Sequence, residues 1–337
     1  PTRQWPVDRV LRQRVQPGAD SHPCSSSYTE PSGLRVFVEH LHCIQGEFVL
    51  IRTYGRQLAD DIFSTGNDVA ADFIKRKIRS IVKDPKTADL LTDIDHPYAT
   101  KRPPIDTNYF ETYNRDNVDL VDVRSSPIEC ITPKGVKTGN AEYELDIIVF
   151  ATGFDAMTGP LLRLNIEGRD GIKLADIWEA GPKSYLGLQV PGFPNLFTIT
   201  GPGSPSVLCN MPVAIEQHVE WVTDCISFLE DNKIASIEAT EDSMDKWVSH
   251  VNECADVTLM PHAKHTWYYG ANIPGKPRVF MPYAGGMARY RAICDDIAKQ
   301  KYIGFKLGET DTGDVWSAPS ISVDDLVEAA MVKGPAV

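Results

Sequence analysis

No run of apolar residues in this 337-residue chain approaches the roughly 20 that a helix needs to cross a bilayer, so a membrane-spanning helix is not expected. The seven cysteines (Cys24, Cys43, Cys130, Cys209, Cys225, Cys254 and Cys294) include no Cys-x-x-Cys pair, and no secretory signal pattern precedes them. Free thiols in a reducing, cytoplasmic compartment are the expected state. Positive charge is scarce: 34 Lys and Arg stand against 46 Asp and Glu, a net charge of -12. Nucleic acid is therefore not expected as a main partner, because phosphate binding needs a basic surface. The one basic cluster, Lys75, Arg76, Lys77 and Arg79, reads better as a solvated helix face. A G-x-S-x-G elbow and triad spacing are both missing, which leaves acyl-transfer hydrolysis without support. His262-x-x-His265 lacks a third ligand at metal spacing, so zinc is not expected. The full G-x-G-x-x-G fingerprint is absent as well. Gly201-Pro-Gly-Ser-Pro-Ser206 only approximates it, which counts against a chain that binds a dinucleotide unaided.

The length suits two domains, or parts of two. Residues 1–35 are rich in Pro, Ser, Arg and Gln and show little periodicity. Val69, Phe73, Ile74, Ile78 and Ile81 then fall at helical spacing after a capping residue, Asn67 or Asp68, and this helix ends near Asp84-Pro85. A second short helix is expected up to Leu91, followed by a rigid loop from His96-Pro97 to Pro103-Pro104. Strands are expected at Asn117–Val123, Ile128–Ile131 and Gly135–Lys137. The most hydrophobic strand of this half runs from Tyr143 to Ala151. Asn195–Thr200 reads as another strand, the Gly201 turn follows, and a long helix runs from about Val207 to Glu230. Ile215, Val219, Val222, Ile226 and Leu229 step by four and three on it and are expected on one buried stripe. Residues 241–256 form an amphipathic helix around Trp247 and Val251, and His262–Pro277 is a loop. The acidic tail from Gly308 is expected to attach loosely.

Two junctions carry the chemistry. Phe150-Ala-Thr-Gly153 and Ile199-Thr-Gly-Pro-Gly203 each place glycine where a strand stops, which admits a flat ring or a pyrophosphate close to the backbone; a plain turn is the alternative. Lys101-Arg102, stiffened by Pro103 and Pro104, suits a phosphate or an oxygen anion, or else a surface ion pair. The Trp267-Tyr-Tyr-Gly270 segment lies on a loop with glycine hinges that can close on a ligand, or its rings simply pack against the domain. Cys209 near a helix start is either a reactive thiol or, more simply, a buried structural one.

In Ala99-Thr-Lys-Arg102, Tyr109 to Asn117, Asp146 to Thr158, Gly201 to Trp221, and Trp267 to Arg278 the chain resembles the Baeyer-Villiger monooxygenases, flavin enzymes typified by cyclohexanone and phenylacetone monooxygenase. The likeness runs from about Phe73 to Phe305. It implies an α/β fold with two dinucleotide-binding, Rossmann-like domains. Residues 1–151 would be the remainder of an NADP-binding domain with its helical insertion, 152–307 the carboxyl-terminal half of an FAD-binding domain, and 308–337 an acidic tail. The amino-terminal third, with the glycine fingerprints and the family signature, would be absent, and residues 20–60, Phe37 to Thr53 above all, fit poorly. The resemblance also implies FAD and NADPH as cofactors, and O2 and a small ketone as substrates, with an ester or lactone as product. Arg102 would be the catalytic cation, stabilising negative charge on oxygen in a dry pocket. Lys101 would meet the 2'-phosphate of NADP, and Trp267 the nicotinamide ribose. Gly153 and Met211 would lie by the cofactor, and Ser206, Val207 and Leu208 would shape the substrate pocket. An enzyme oxidising nitrogen or sulfur, and a non-catalytic fragment, stay open as alternatives.

Overall fold

The computed structural model of the chain describes residues 56–308, with side chains from residue 64. The expectations for residues 1–55, including Phe37 to Thr53, Cys24 and Cys43, and those for the tail at 309–337, lie outside the described residues. The chain is a mixture of helix and sheet.

Helix α1 (Arg56–Ile81) starts well before the expected cap. Asn67 lies inside it and does a different job. Its side chain bridges to the later loop, donating to the carbonyl of Tyr98 at 2.8 Å and accepting from the Tyr98 N–H at 2.9 Å. A single residue closes the far end of α1. Asn114 donates to the Ile81 carbonyl and accepts from the Lys83 N–H, both at 2.8 Å, which satisfies groups that a helix terminus leaves orphaned. Helix α2 (Pro85–Thr92) begins as its sequence predicts. The Asp84 carboxylate accepts from the Thr87 N–H at 2.8 Å, and Pro85 occupies the first helical position, where a missing N–H costs nothing. The Thr87 contacts hold the Asp84 carboxyl below its usual range. Ile78, Val82 and Ala88 form a small core between the two helices, with Phe110 and Tyr113 against it.

Strands β1 (Ile128–Thr132), β2 (Gly135–Thr138) and β3 (Glu142–Glu144) make an antiparallel meander. The first turn is tied by Thr132, whose Oγ1 accepts from the Gly135 N–H at 3.1 Å. Here two expectations fail. Asn117–Val123 forms no strand, and β3 stops at Glu144, so Leu145–Ala151 pairs with no strand among the described residues. Its apolar side chains are exposed accordingly: Ile147 at 78%, Val149 at 81% and Phe150 at 70%, with Phe154 at 88% beyond them. A strand is stabilised by non-local partners, and apolar sequence does not supply them.

The main core lies further along the chain. Helices α3 (Met211–Asp231), α4 (Glu241–Asp256) and α5 (Met287–Lys299) surround a two-stranded antiparallel pair, β4 (Ile237–Ala239) with β5 (Phe305–Leu307). Helix α4 is closed at its start by Thr240, whose hydroxyl accepts from the Ser243 N–H, and its buried face carries Trp247 and Val251 as expected. Between the helices lie Tyr185, Trp247, Tyr283 and Tyr290, all essentially inaccessible. Trp247 stacks on Tyr283 with centroids 5.2 Å apart. Each buried polar ring atom finds a partner: the Tyr185 hydroxyl donates to the Ile303 carbonyl and the Trp221 indole to the Cys294 carbonyl.

The expected stripe on α3 is rotated. Ala214, His218, Trp221, Cys225 and Leu229 are buried, whereas Ile215, Val219 and Ile226 face outward. Both faces of this helix are apolar, so spacing alone does not select one; the hydrogen bonds of His218 and Trp221 do. Asn195–Thr200 is likewise no strand. Separate backbone bonds, Asn195 N–H to the Ile237 carbonyl at 2.9 Å and Thr198 N–H to the Leu188 carbonyl at 2.8 Å, guide it into the glycine turn without forming a ladder.

Candidate functional site

The turn from Thr200 to Ser204 is clamped from every side. Thr200 has φ +53 and its N–H donates to His218 Nδ1 at 2.9 Å. The Gly203 N–H donates to the Met281 carbonyl at 2.6 Å, the Trp247 indole N–H to the Gly203 carbonyl at 3.0 Å, and the Ser184 hydroxyl to the Pro202 carbonyl. Because Nδ1 of His218 accepts, its proton sits on Nε2 and points to the Tyr290 hydroxyl at 2.7 Å, which in turn donates to the Leu186 carbonyl. Burial depresses His218 to about 4, in keeping with this neutral tautomer.

The two glycine junctions differ in what their missing side chains face. A Cβ on Gly201 would lie 2.6 Å from Thr198 Oγ1, and one on Gly203 would lie 3.1 Å from the Trp247 indole nitrogen. On the side that a Cβ would occupy, both glycines are packed against the protein's own atoms. Gly153, with φ +77, has no atom within 4 Å of where its Cβ would be. Its turn is open.

Below the clamped turn, Ser206–Leu208 makes a short 3-10 turn and α3 begins at Met211, with Asn210 in the capping position but no capping bond from its side chain. Val207, Leu208, Cys209, Asn210, Met211 and Pro212 line a cavity of about 530 Å3, and Arg102 comes to it from the loop after α2. Residues over a hundred positions apart are thus brought together. Among the described residues Arg102 forms no ion pair, so the guanidinium faces the cavity with its charge uncompensated by a carboxylate. Ser206 is buried beside this wall, with φ +45, and does not line the cavity.

Trp267 opens a 3-10 turn (Trp267–Tyr269) that Thr266 caps and Gly270 closes at φ +68. Its ring is partly buried against the main core, next to Tyr268. The same Thr266 hydroxyl donates to the Thr100 carbonyl at 3.4 Å, which sets the start of the aromatic turn beside the Lys101-Arg102 loop. Lys101, half-buried, lies near Asp95. Lys101, Trp267 and Gly153 are outside the cavity lining.

Cys209 departs from expectation: it is only half-buried and lines the cavity, its thiol pushed up by partial burial and 4.0 Å from Met287 Sδ. Three contributors escaped the reading of the sequence. Asn210 and Pro212 carry no motif. His218 stands between Glu216 and Glu220 in the sequence with nothing to set it apart from them; its burial and its bonds to Thr200 and Tyr290 do so in the fold.

No family model matches the chain. Individual proteins do. It is 46% identical over 237 residues to a Baeyer-Villiger monooxygenase of Pseudooceanicola batsensis, a match that takes in 70% of this chain and 43% of that protein. It is 38% identical over 302 residues to the phenazine N-monooxygenase PhzNO1 of Lysobacter antibioticus, across 89% of this chain and 54% of that protein. Among solved structures it is similar to an oxidised steroid monooxygenase bound to NADP, with a TM-score of 0.67 and 48% identity over 72% of this chain and 45% of that one. The chain spans about half the length of the relatives it matches.

Proposed function

We propose that this chain, a relative of Baeyer-Villiger monooxygenases over some 70% of its length, forms one wall of the catalytic site of an FAD- and NADPH-dependent monooxygenase. The reaction inserts one atom of O2 beside a ketone carbonyl and yields an ester or lactone. The observation that carries this reading is the meeting of Arg102 with the apolar wall of Val207, Leu208 and Met211 in one cavity of about 530 Å3. That size lies within the range of small-molecule sites. In this reading residues up to 151 belong to an NADP-binding domain and 152–307 to an FAD-binding domain, both Rossmann-like, and the free thiols suit the cytoplasm.

The residues present fit such a group. The open Gly153 turn leaves backbone free to lie against a flat ring, and the first turn of α3 presents amide N–H groups that no side chain caps. Bound flavin supplies the oxygen-transfer chemistry. The chain's own residues hold, orient and exclude. Arg102 stabilises negative charge on oxygen beside the apolar side chains of Val207, Leu208 and Met211. Lys101 pairs with the 2'-phosphate that distinguishes NADP from NAD. Trp267 lies against the nicotinamide ribose, and Ser206 fixes the backbone from which Val207 and Leu208 reach the substrate.

The test has two parts. The purified chain is loaded with FAD and its retained flavin absorption measured; a folded but colourless protein would mark a polypeptide that does not hold flavin. In flavin-loaded protein Arg102→Ala is expected to cut ester formation from a ketone by about 100-fold or more while NADPH consumption persists; undiminished ester would remove Arg102 from its role. A second reading, oxidation of nitrogen or sulfur, is favoured by the likeness to a phenazine N-monooxygenase across 89% of this chain. Product analysis with a ketone, a thioether and an aromatic N-heterocycle separates the two.

A further inference from the structure

The loop that carries Trp267 is fastened at both ends, and the two fastenings differ. On the core side, the Val279 and Met281 N–H groups donate to the Tyr269 and Tyr268 carbonyls, and Arg278 lies over the Tyr269 ring at 4.3 Å while donating to the Pro261 and Ala263 carbonyls. The two backbone bonds on this side do not depend on any side-chain charge, and Arg278 adds to them. On the other side, a single cation spans to a distant part of the chain. Lys276 Nζ bonds to Asp155 Oδ1 and, at 2.7 Å, to Thr158 Oγ1, with the lysine side chain 12% and the aspartate 28% exposed. Asn272 adds a weaker bond, its side-chain N–H to the Phe154 carbonyl at 3.4 Å.

The lysine stem links these bonds to the aromatic turn. A Cβ on Gly270 would lie 3.1 to 3.4 Å from Lys276 Cδ, Cε and Cγ, so the residue that closes the Trp267 turn rests directly on the stem. Asp155 and Thr158 directly follow the open Gly153 turn. Support differs on their two sides: upstream, Phe154 is exposed and residues 145–151 have no strand partner among the described residues, whereas downstream Thr158 is buried and leads into a short turn of helix whose Leu161 and Leu162 pack. Movement of either turn is therefore transmitted chiefly through the Lys276 side chain, with the longer Asn272 bond beside it.

We propose that Lys276 is a positioning residue that holds the Trp267 turn in register with the Gly153 turn, so that two sides of the cofactor site are set together. This deepens the function proposed above and rests on it for the identity of what lies between the turns, but the coupling itself does not. The experiment is hydrogen exchange of the 337-residue chain without cofactor. Lys276→Met is expected to speed exchange of the amides in 267–275 by about tenfold or more, with the amides of α4 and α5 unchanged. Asp155→Asn should reproduce this and Lys276→Arg should reverse most of it, because a second cation can reach the same carboxylate. Unchanged exchange in the loop for both Lys276→Met and Asp155→Asn would overturn the proposal, as would an equal rise in α4 and α5. In flavin-loaded protein Lys276→Met should also raise the NADPH concentration at half-saturation with flavin retention unaltered. A chain that takes up no flavin defeats the proposed function, and the exchange experiment still decides the role of Lys276.

Discussion

The segment from Ile105 to Phe154 and the core built from residues 184–307 contain similar kinds of apolar residue and treat them oppositely. In the second, Trp247, Tyr185, Tyr283 and Tyr290 are enclosed and their polar atoms bonded. In the first, Ile105, Ile128, Ile131, Ile147, Val149, Phe150 and Phe154 all face outward. Helices complete their backbone bonds within themselves and need only a stripe of neighbours, whereas a strand needs another strand for both bonds and burial. The contrast teaches that the proposed site joins a rigid half to a loosely supported one: its open turn, Gly153, lies in the loosely supported segment, and its cation, Arg102, in the loop that leads into that segment.

The comparison predicts its largest effect at Trp247. Replacing it with Ala is expected to cost about 3–5 kcal/mol, since it empties a fully enclosed volume and strips the Gly203 carbonyl of its indole donor. Phe150→Ala, an equally drastic truncation, is expected to change stability by less than about 0.5 kcal/mol. Urea titration of both variants measures the gap. Equal losses would mean that the two regions are not packed differently.

Acid should act on the same core. Burial depresses His218 to about 4, and burial with the nearby Arg289 charge depresses His250 to about 3, both from an ordinary value of 6.5. Between these values the unfolded chain binds protons that the folded chain refuses, so stability is present above pH 6.5 and is lost as pH falls toward 4. At pH 5 each histidine accounts for about 2 kcal/mol of that loss. His218→Gln should shrink the drop in urea midpoint between pH 7 and pH 5 by its share. A drop of unchanged size would remove His218 from the account.

The glycines sharpen the contrast at one atom. Gly201→Ala pushes a methyl group against Thr198 and the Gly187 backbone and is expected to cost about 2 kcal/mol. Gly153→Ala meets only open space, and its positive φ accounts for a cost of about 1 kcal/mol. Thermal midpoints of the two variants test this. If the Gly201 variant were the milder one, the clamped turn would be looser than its bonds imply.

Elements in both regions were legible in the sequence where their signals are local. Asp84-Pro85 marks α2, the spacing of Trp247 and Val251 marks α4, and Gly135 marks the turn into β2, whereas the Thr240 cap emerges only in the structure. Helix α5 was missed because Gly285-Gly286 and its charged residues disguise a start that tertiary contacts of Tyr290, Ile293 and Ile297 make firm. On α3 the apolar pattern was real but wrapped both faces, and the buried one was chosen by the partners of His218 and Trp221. The site was legible in part: Arg102 and the Val207, Leu208 and Met211 wall were named from resemblance. The meeting of Asp155 and Lys276 is invisible in the sequence, because a contact between residues 121 positions apart leaves no periodic trace.

The smallest effect on stability should accompany a clear effect on surface behaviour. Ile147→Thr with Val149→Thr keeps β-branched side chains, and so the extended backbone preference, while removing apolar surface that is about four-fifths exposed. The folded state gains or loses less than about 0.5 kcal/mol, because few contacts are broken. Binding of an apolar dye such as ANS and the tendency to self-associate should both fall, since an unpaired apolar strand offers backbone and side chains to any similar edge. If instead the double variant unfolded at markedly lower urea, residues 145–151 would be packed in solution, and the division between a closed half and an open half would have to be redrawn around them.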